Sequence, residues 1–130
     1  MLNNELVSVG LRNALNKISP VSEEAWQAFE PHWEYKTLDQ GQYLHKTGEP
    51  ATLMAFVIEG TLREYFLTIE GLEFNKAFIF SGEFTGSLFD LMRDDVSTAS
   101  IQAIKPCQLL VAPYKVMHKL YDQYACFQRL

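Results

Sequence analysis

The segment GEFTGSLFDLMRDDVST, residues 82–98, holds the residue types best suited to grip a small anion. Gly86 lets the backbone approach a ligand closely, and a short helical pattern runs from Ser87 to Met92. Free N–H groups around Ser87 and Leu88 then point at whatever sits before that helix. A helix N-terminus carries partial positive charge, which attracts phosphate or carboxylate. The plain alternative is that Ser87 is simply a helix cap, a position that Ser favours. Ser97 and Thr98 close the segment with two more hydroxyls. Arg93 lies ahead of them, but Asp94 and Asp95 adjoin it, so a surface charge cluster is expected there.

Other chemistry is poorly supplied. The histidines His32, His45 and His118 fall on a helix end, a strand and a late helix, with no HxH. A cupin-like metal enzyme needs clustered His and Glu ligands on neighbouring strands, so that reading is disfavoured. Cys107 and Cys126 form no CxxC, which disfavours zinc, iron–sulfur and disulfide scaffolds. Two reduced thiols in a cytoplasmic protein are expected instead. There is no Gly-x-Ser-x-Gly, no P-loop and no Cys/His pair with a third orienting group. Glu83 and Asp90 are the nearest approach to paired carboxylates, and nothing else supports them. The reading is a binding domain and not an enzyme, with no metal and no resident cofactor.

Composition narrows the class. The 130 residues make one domain, 48% apolar and 13% aromatic, which is too apolar for a disordered chain. No apolar run approaches the ~20 residues of a spanning helix, and MLNNELVSVGLRN lacks the pattern of a secretory signal. The net charge is −5 with no basic stripe, so nucleic-acid binding by these residues is not expected.

Several kinds of element must position the segment. Leu11, Ala14, Leu15 and Ile18 make one apolar face of a first helix, and Pro20 ends that pattern. Ser22 caps a second helix that begins with Glu23 and Glu24, carries Trp26 and Phe29, and stops before Pro31. From Glu34 on, glycines at 41, 48, 60, 71, 82 and 86 punctuate runs of β-branched and aromatic residues. Strands at such spacing predict an all-β sandwich or barrel. Asp39-Gln40-Gly41 reads as a tight turn, Thr68-Ile69-Glu70-Gly71 as a hairpin connection, and Glu59-Gly60 as a kink from one strand into the next. Strands return at Ala99–Ile104 and Gln108–Ala112. Pro113 opens a helix with Tyr114, Met117, Leu120, Tyr121 and Tyr124 on its apolar face. Cys126-Phe127 and Leu130 read as the first turn of another helix, and the expectation is that the chain is a fragment. The roll interior is expected to hold Phe56, Ile58, Phe66, Phe78, Phe80, Phe84, Leu88 and Phe89. Of these, Phe56, Phe78, Phe84 and Phe89 are candidate lining for a ligand pocket, although a core filled by its own side chains is favoured.

Helices, a glycine-punctuated β-roll, an inserted segment, then closing strands and a helix follow in order. With DQGQYLHKTGEP, FVIEGTLREYF, FSGEFTGSLFDL and STASIQAIKPCQLLVAP, this order resembles the sensor half of the catabolite-activator/Fnr (Crp/Fnr) family of bacterial transcription regulators. The resemblance covers roughly residues 17–130. It implies a mainly β fold with flanking α-helices, a double-stranded β-helix or jelly roll of the cyclic-nucleotide-binding type. The expected divisions are N-terminal helices over 1–33, a roll over 34–112 with the inserted segment 82–98, and C-terminal helices over 113–130. These stop short of a dimer helix and a helix-turn-helix domain, and the latter needs on the order of 60 further residues. The implied partners are a small-molecule effector, a second copy through the C-terminal helix, and DNA only through that further domain, with no membrane partner.

In members that bind cyclic nucleotides, a Glu after the second glycine holds the ribose and an Arg near the end of the segment pairs with the phosphate. Here those positions are Ser87 and Ser97, and only the following Thr98 matches. Losing an Arg–phosphate fork and a ribose contact weakens binding by about 10²–10⁴-fold. Tight cyclic nucleotide binding is therefore not expected; an unidentified small effector is possible, and its identity is not readable from the residues. The alternative is an interaction module without a ligand, in which Met117, Leu120, Tyr121, Tyr124 and the Phe127–Leu130 start form part of a dimer interface.

Overall fold

The computed structural model describes residues 4–49, 52–85 and 99–129. Helix α1 (Asn4–Ile18) and helix α2 (Glu23–Phe29) lead through a 3-10 turn (Glu30–His32) into the strands. These are β1 (Glu34–Leu38), β2 (Tyr43–His45), β3 (Leu53–Glu59), β4 (Thr61–Leu67), β5 (Glu73–Phe80), β6 (Phe84–Thr85), β7 (Ala99–Ala103) and β8 (Cys107–Pro113). Helix α3 (Tyr114–Gln123) and a 3-10 turn (Ala125–Arg129) close the chain. The expected mainly β fold with flanking helices is thus what the chain forms.

Local chemistry accounts for the boundaries. The Ser22 side chain accepts a hydrogen bond from the Ala25 N–H at 3.2 Å, so it caps α2 beside Glu23 and Glu24. Ser22→Ala is expected to cost about 1 kcal/mol, a few degrees of Tm, because that N–H loses its partner. A melt unchanged within error would show that solvent replaces the cap fully. The Asp39–Gly41 turn closes with Gln42 N–H to the Asp39 carbonyl at 3.0 Å, and the hairpin closes with Gly71 N–H to the Thr68 carbonyl at 2.9 Å. Pro113 precedes α3, where its fixed φ suits a helix start.

The strands form two antiparallel four-stranded sheets, in the orders β1-β8-β3-β6 and β2-β7-β4-β5. Between them lies one core cluster. Leu38, Ala55, Val57, Leu109 and Val111 come from the first sheet, and Leu62, Ile79, Ile101 and Ala103 from the second. A second cluster lies on the other side of the first sheet. Met54, Phe56 and Leu110 pack there against Leu11, Leu15, Trp26, Phe29, Tyr114, Met117, Leu120 and Phe127. The chain therefore builds three layers: helices, first sheet, second sheet. Strands β3 and β8 are covered on both faces, which explains their near-continuous apolar runs. In β5, on the edge of the second sheet, only Ile79 is buried.

Three expectations change. Ile18 is 47% exposed, while Leu11 and Leu15 on the same helix are buried, because the packed face ends one turn earlier. Phe127 is no part of a free dimer face: it is fully buried and stacks on Phe29 at 5.1 Å. Met117 and Leu120 also pack within the chain. The third change concerns the phenylalanines of the roll.

Candidate functional site

Cross-strand register decides which side chains enter the roll. On β4, Leu62 lies opposite Ile79 and Ala103, Glu64 opposite Ala77 and Ile101, and Phe66 opposite Phe74 and Ala99. Directly opposed residues share a face. Leu62, Ile79, Ile101 and Ala103 belong to the inter-sheet cluster, so Glu64 and Phe66 face inward as well. Strand β5 carries an irregularity between the partners of Glu64 and Tyr65, which leaves Lys76 as the extra residue. The Lys76 Nζ then sits 3.5 Å from the Glu64 Oε1.

Aliphatic side chains from both sheets fill one end of the roll interior. Further along β4 and β5 stand the Glu64–Lys76 pair, the small Ala77, and the stacked rings of Phe66 and Phe74, 5.7 Å apart with planes 9° from parallel. Phe74 is 60% exposed. Ala99, at the start of β7 where segment 86–98 ends, lies opposite Phe66, and Thr85, at the end of β6, lies opposite Ala55 in the first sheet.

Gly86, Ser87, Leu88, Phe89, Ser97 and Thr98 lie outside the described residues. The other candidate lining residues are placed elsewhere than the roll interior. Phe56 lies opposite Leu110 and Phe84, on the helix side of the first sheet. Its ring is 5.0 Å from that of Phe84, which in turn meets Trp33 edge-on at 6.2 Å. Phe78 lies opposite Arg63 on the outer face of the second sheet and is 48% exposed. Phe80 lies opposite Thr61 on that same outer face, and Ile58 packs with the helix-side cluster. The reason is alternation: the interior positions of β3 are Ala55 and Val57, so Phe56 must point at the helices. Of the eight expected interior residues, only Phe66 among the described ones faces inward. Glu64, Lys76 and Phe74 were missed. Counting by twos from Leu62 points to Glu64, but the bulge breaks the count before it reaches Lys76.

The outer face of the second sheet is a braced polar surface. The Tyr43 and Tyr65 hydroxyls are 2.7 Å apart, and Arg63 lies 4.0 Å over the Tyr65 ring. Arg63 donates to Gln102 Oε1 at 2.7 Å and to Glu73 Oε2 at 2.8 Å, and the bond to Glu73 raises its pKa further. Burial, then the Tyr43 hydrogen bond, push the Tyr65 phenol up. At the filled end, a cleft of about 790 Å³ runs past Asp39, Glu59, Gly60, Lys105 and Gln108. Its Cys107 thiol is buried and donates to the Thr61 and Lys105 carbonyls; burial raises its pKa, which makes it a poor nucleophile. Both cysteines are free. Among the described residues, no group of three or more His, Cys, Asp or Glu could hold a metal, and no helix is long and apolar enough to cross a membrane.

The two-sheet roll bordered by such a segment has a counterpart among known proteins: the cyclic nucleotide-binding domain family matches residues 35–124. The chain belongs to that family. A fumarate and nitrate reduction regulatory protein from Vibrio cholerae is 28% identical over 85 residues, 65% of this chain and 33% of that protein. The chain thus matches about a third of that curated relative's length. The sensor domain of the transcriptional regulator DNR from Pseudomonas aeruginosa superposes with a TM-score of 0.83 at 22% identity, covering 96% of this chain and 83% of that one. The catabolite activator protein of Thermus thermophilus gives 0.71 at 19% identity, over 82% of this chain and 50% of that one. The cyclic-nucleotide-binding fold is therefore the fold of this domain, and the resemblance to Crp/Fnr sensor halves holds.

Proposed function

We propose that this chain is the effector-sensing domain of a Crp/Fnr-type transcription regulator, diverged from cyclic nucleotide recognition. The observation that carries this reading is the match of residues 35–124 to the cyclic nucleotide-binding domain family, on the two-sheet roll that the chain builds. The segment attached beside it has Ser87 and Ser97 where cyclic nucleotide binders have a ribose-holding Glu and a phosphate-pairing Arg. The domain works by binding and carries no catalytic step.

The layers suggest how occupancy is transmitted. Phe84 sits at the last strand before segment 86–98 and packs, with Phe56 and Trp33, against the cluster that holds Met117, Leu120 and Phe127 of the C-terminal helices. A shift of β6 moves a ring that those helices rest on. In the proposed mechanism, effector binding shifts the population between two arrangements of that joint. The C-terminal helices carry the change into a dimer and then to a DNA-binding half outside this chain.

Calorimetric titration with cAMP tests the divergence. No saturable site is expected below about 10 μM, because the two contacts that hold ribose and phosphate are missing. A one-to-one site tighter than that overturns the reading.

A further inference from the structure

Separately from the effector reading, we propose that the cleft at the filled end of the roll binds a basic α-amino acid such as lysine. The cleft measures about 790 Å³, within the range of small-molecule sites. Asp39, Glu59 and Lys105 line it, two carboxylates against one ammonium. The ion pairs among the described residues are Arg12–Glu23, Arg63–Glu73 and Lys76–Glu64, so none of the three lining charges is taken up. Gln108 lines the same cleft, and its Oε1 is buried with no hydrogen-bond partner. A buried acceptor without a donor is costly, so a ligand N–H that reaches this amide stabilises the complex.

Strand register sets where each charge stands. Asp39 follows the end of β1, and Lys105 comes just before the start of β8, the strand that pairs with β1. The pairing of Leu38 with Cys107 brings Asp39 and Lys105 to one side of the cleft. Glu59 lies opposite Gln108, which in turn lies opposite Thr37. Carboxylate, amide and hydroxyl thus form a row across β3, β8 and β1, and Glu59 stands two strand spacings, about 10 Å, from β1. An α-ammonium and an α-carboxylate share one carbon, which suits the neighbouring Asp39 and Lys105. The four-carbon stem of lysine spans roughly 6 Å and a hydrogen bond adds about 3 Å, which carries the side-chain ammonium to Glu59 and Gln108. Two cations and one anion on the ligand then answer one cation and two anions on the wall. A phosphate would meet Asp39 and Glu59 as like charges. An apolar molecule would strip water from all three charges and replace none of their hydrogen bonds.

Amide-shift titration of the purified, isotope-labelled chain with L-lysine, L-norleucine and cadaverine tests the proposal. L-Lysine is expected to saturate one site with Kd below about 1 mM, with the largest shifts around Asp39, Glu59, Lys105 and Gln108. L-Norleucine lacks the side-chain ammonium and cadaverine lacks the carboxylate. Each is expected to bind at least about tenfold more weakly, because a charge-assisted hydrogen bond is lost. Glu59→Gln and Lys105→Met are each expected to weaken L-lysine about tenfold, with melting temperature as the check that both variants are folded. The proposal is overturned if L-lysine does not saturate, if the shifts centre away from the cleft, if either analogue binds as well as L-lysine, or if either folded variant binds like the parent. None of these outcomes bears on the cAMP titration, so this proposal and the effector reading stand or fall separately.

Discussion

Gly60→Ala is expected to destabilise the domain by about 3–5 kcal/mol, enough to leave a domain of ordinary stability largely unfolded under mild denaturant. Gly60 is where the chain leaves β3 in one sheet and enters β4 in the other, with φ at +109°. Its α-carbon faces the Pro106–Cys107 corner, where the chain leaves the second sheet for the first. A Cβ there would lie 2.6 Å from the Pro106 carbonyl oxygen, 2.7 Å from the Cys107 Sγ and 2.8 Å from the Cys107 Cα. Two of those atoms are backbone and cannot swing away. Left-handed strain and the clash therefore add. Gly41→Ala separates the two effects, since Gly41 has φ at +89° and nothing within 4 Å of a built Cβ. That variant should lose only about 1–2 kcal/mol. Urea unfolding midpoints, at constant slope, measure both. Equal losses at the two glycines would show that the crossing corners can separate freely, against the close packing described above.

Phe29→Ala is expected to cost about 3–5 kcal/mol, or roughly 10–20 °C in Tm for a domain of this length. Phe29 is 2% exposed and lies within ring contact of three neighbours: Phe127 at 5.1 Å, Trp33 at 5.2 Å and Trp26 at 5.9 Å. It is the point where α2 meets the C-terminal turn. Removing the ring leaves a cavity under Phe127 and frees Ala125–Arg129 from its seat. Amide exchange should accelerate in that turn more than in β8. A loss below about 1 kcal/mol, or uniform acceleration across the chain, would show that the helical layer repacks around the gap.

Much of this architecture is legible because its causes are local. Ser22 caps its helix with its own side chain, Gly41 turns the chain where a left-handed residue is required, and the Thr68–Gly71 connection closes within four residues. The helix faces around Leu11, Leu15, Trp26 and Phe29 follow from their spacing. The sidedness of the aromatics does not. In β3 every residue from Met54 to Val57 is buried, so apolar character cannot tell the helix side from the interior. Phe56 and Phe84 looked like pocket lining and are the floor of the helical layer. Phe78 is as apolar as either and stands on the outer face opposite Arg63. Phe127 reads as the start of an exposed helix and is one of the most buried residues in the chain.

By itself, the sequence determined the order of helices and strands and the turns that join them. Each of these rests on residue identity or on contacts a few positions apart. Only the tertiary structure decided which ring faces the helices, which faces solvent and which faces the interior. It also decided that Lys76 reaches Glu64 across a β-bulge. That choice depends on which sheet the helices cover and on one extra residue in one strand, and neither is a property of any short stretch of the chain.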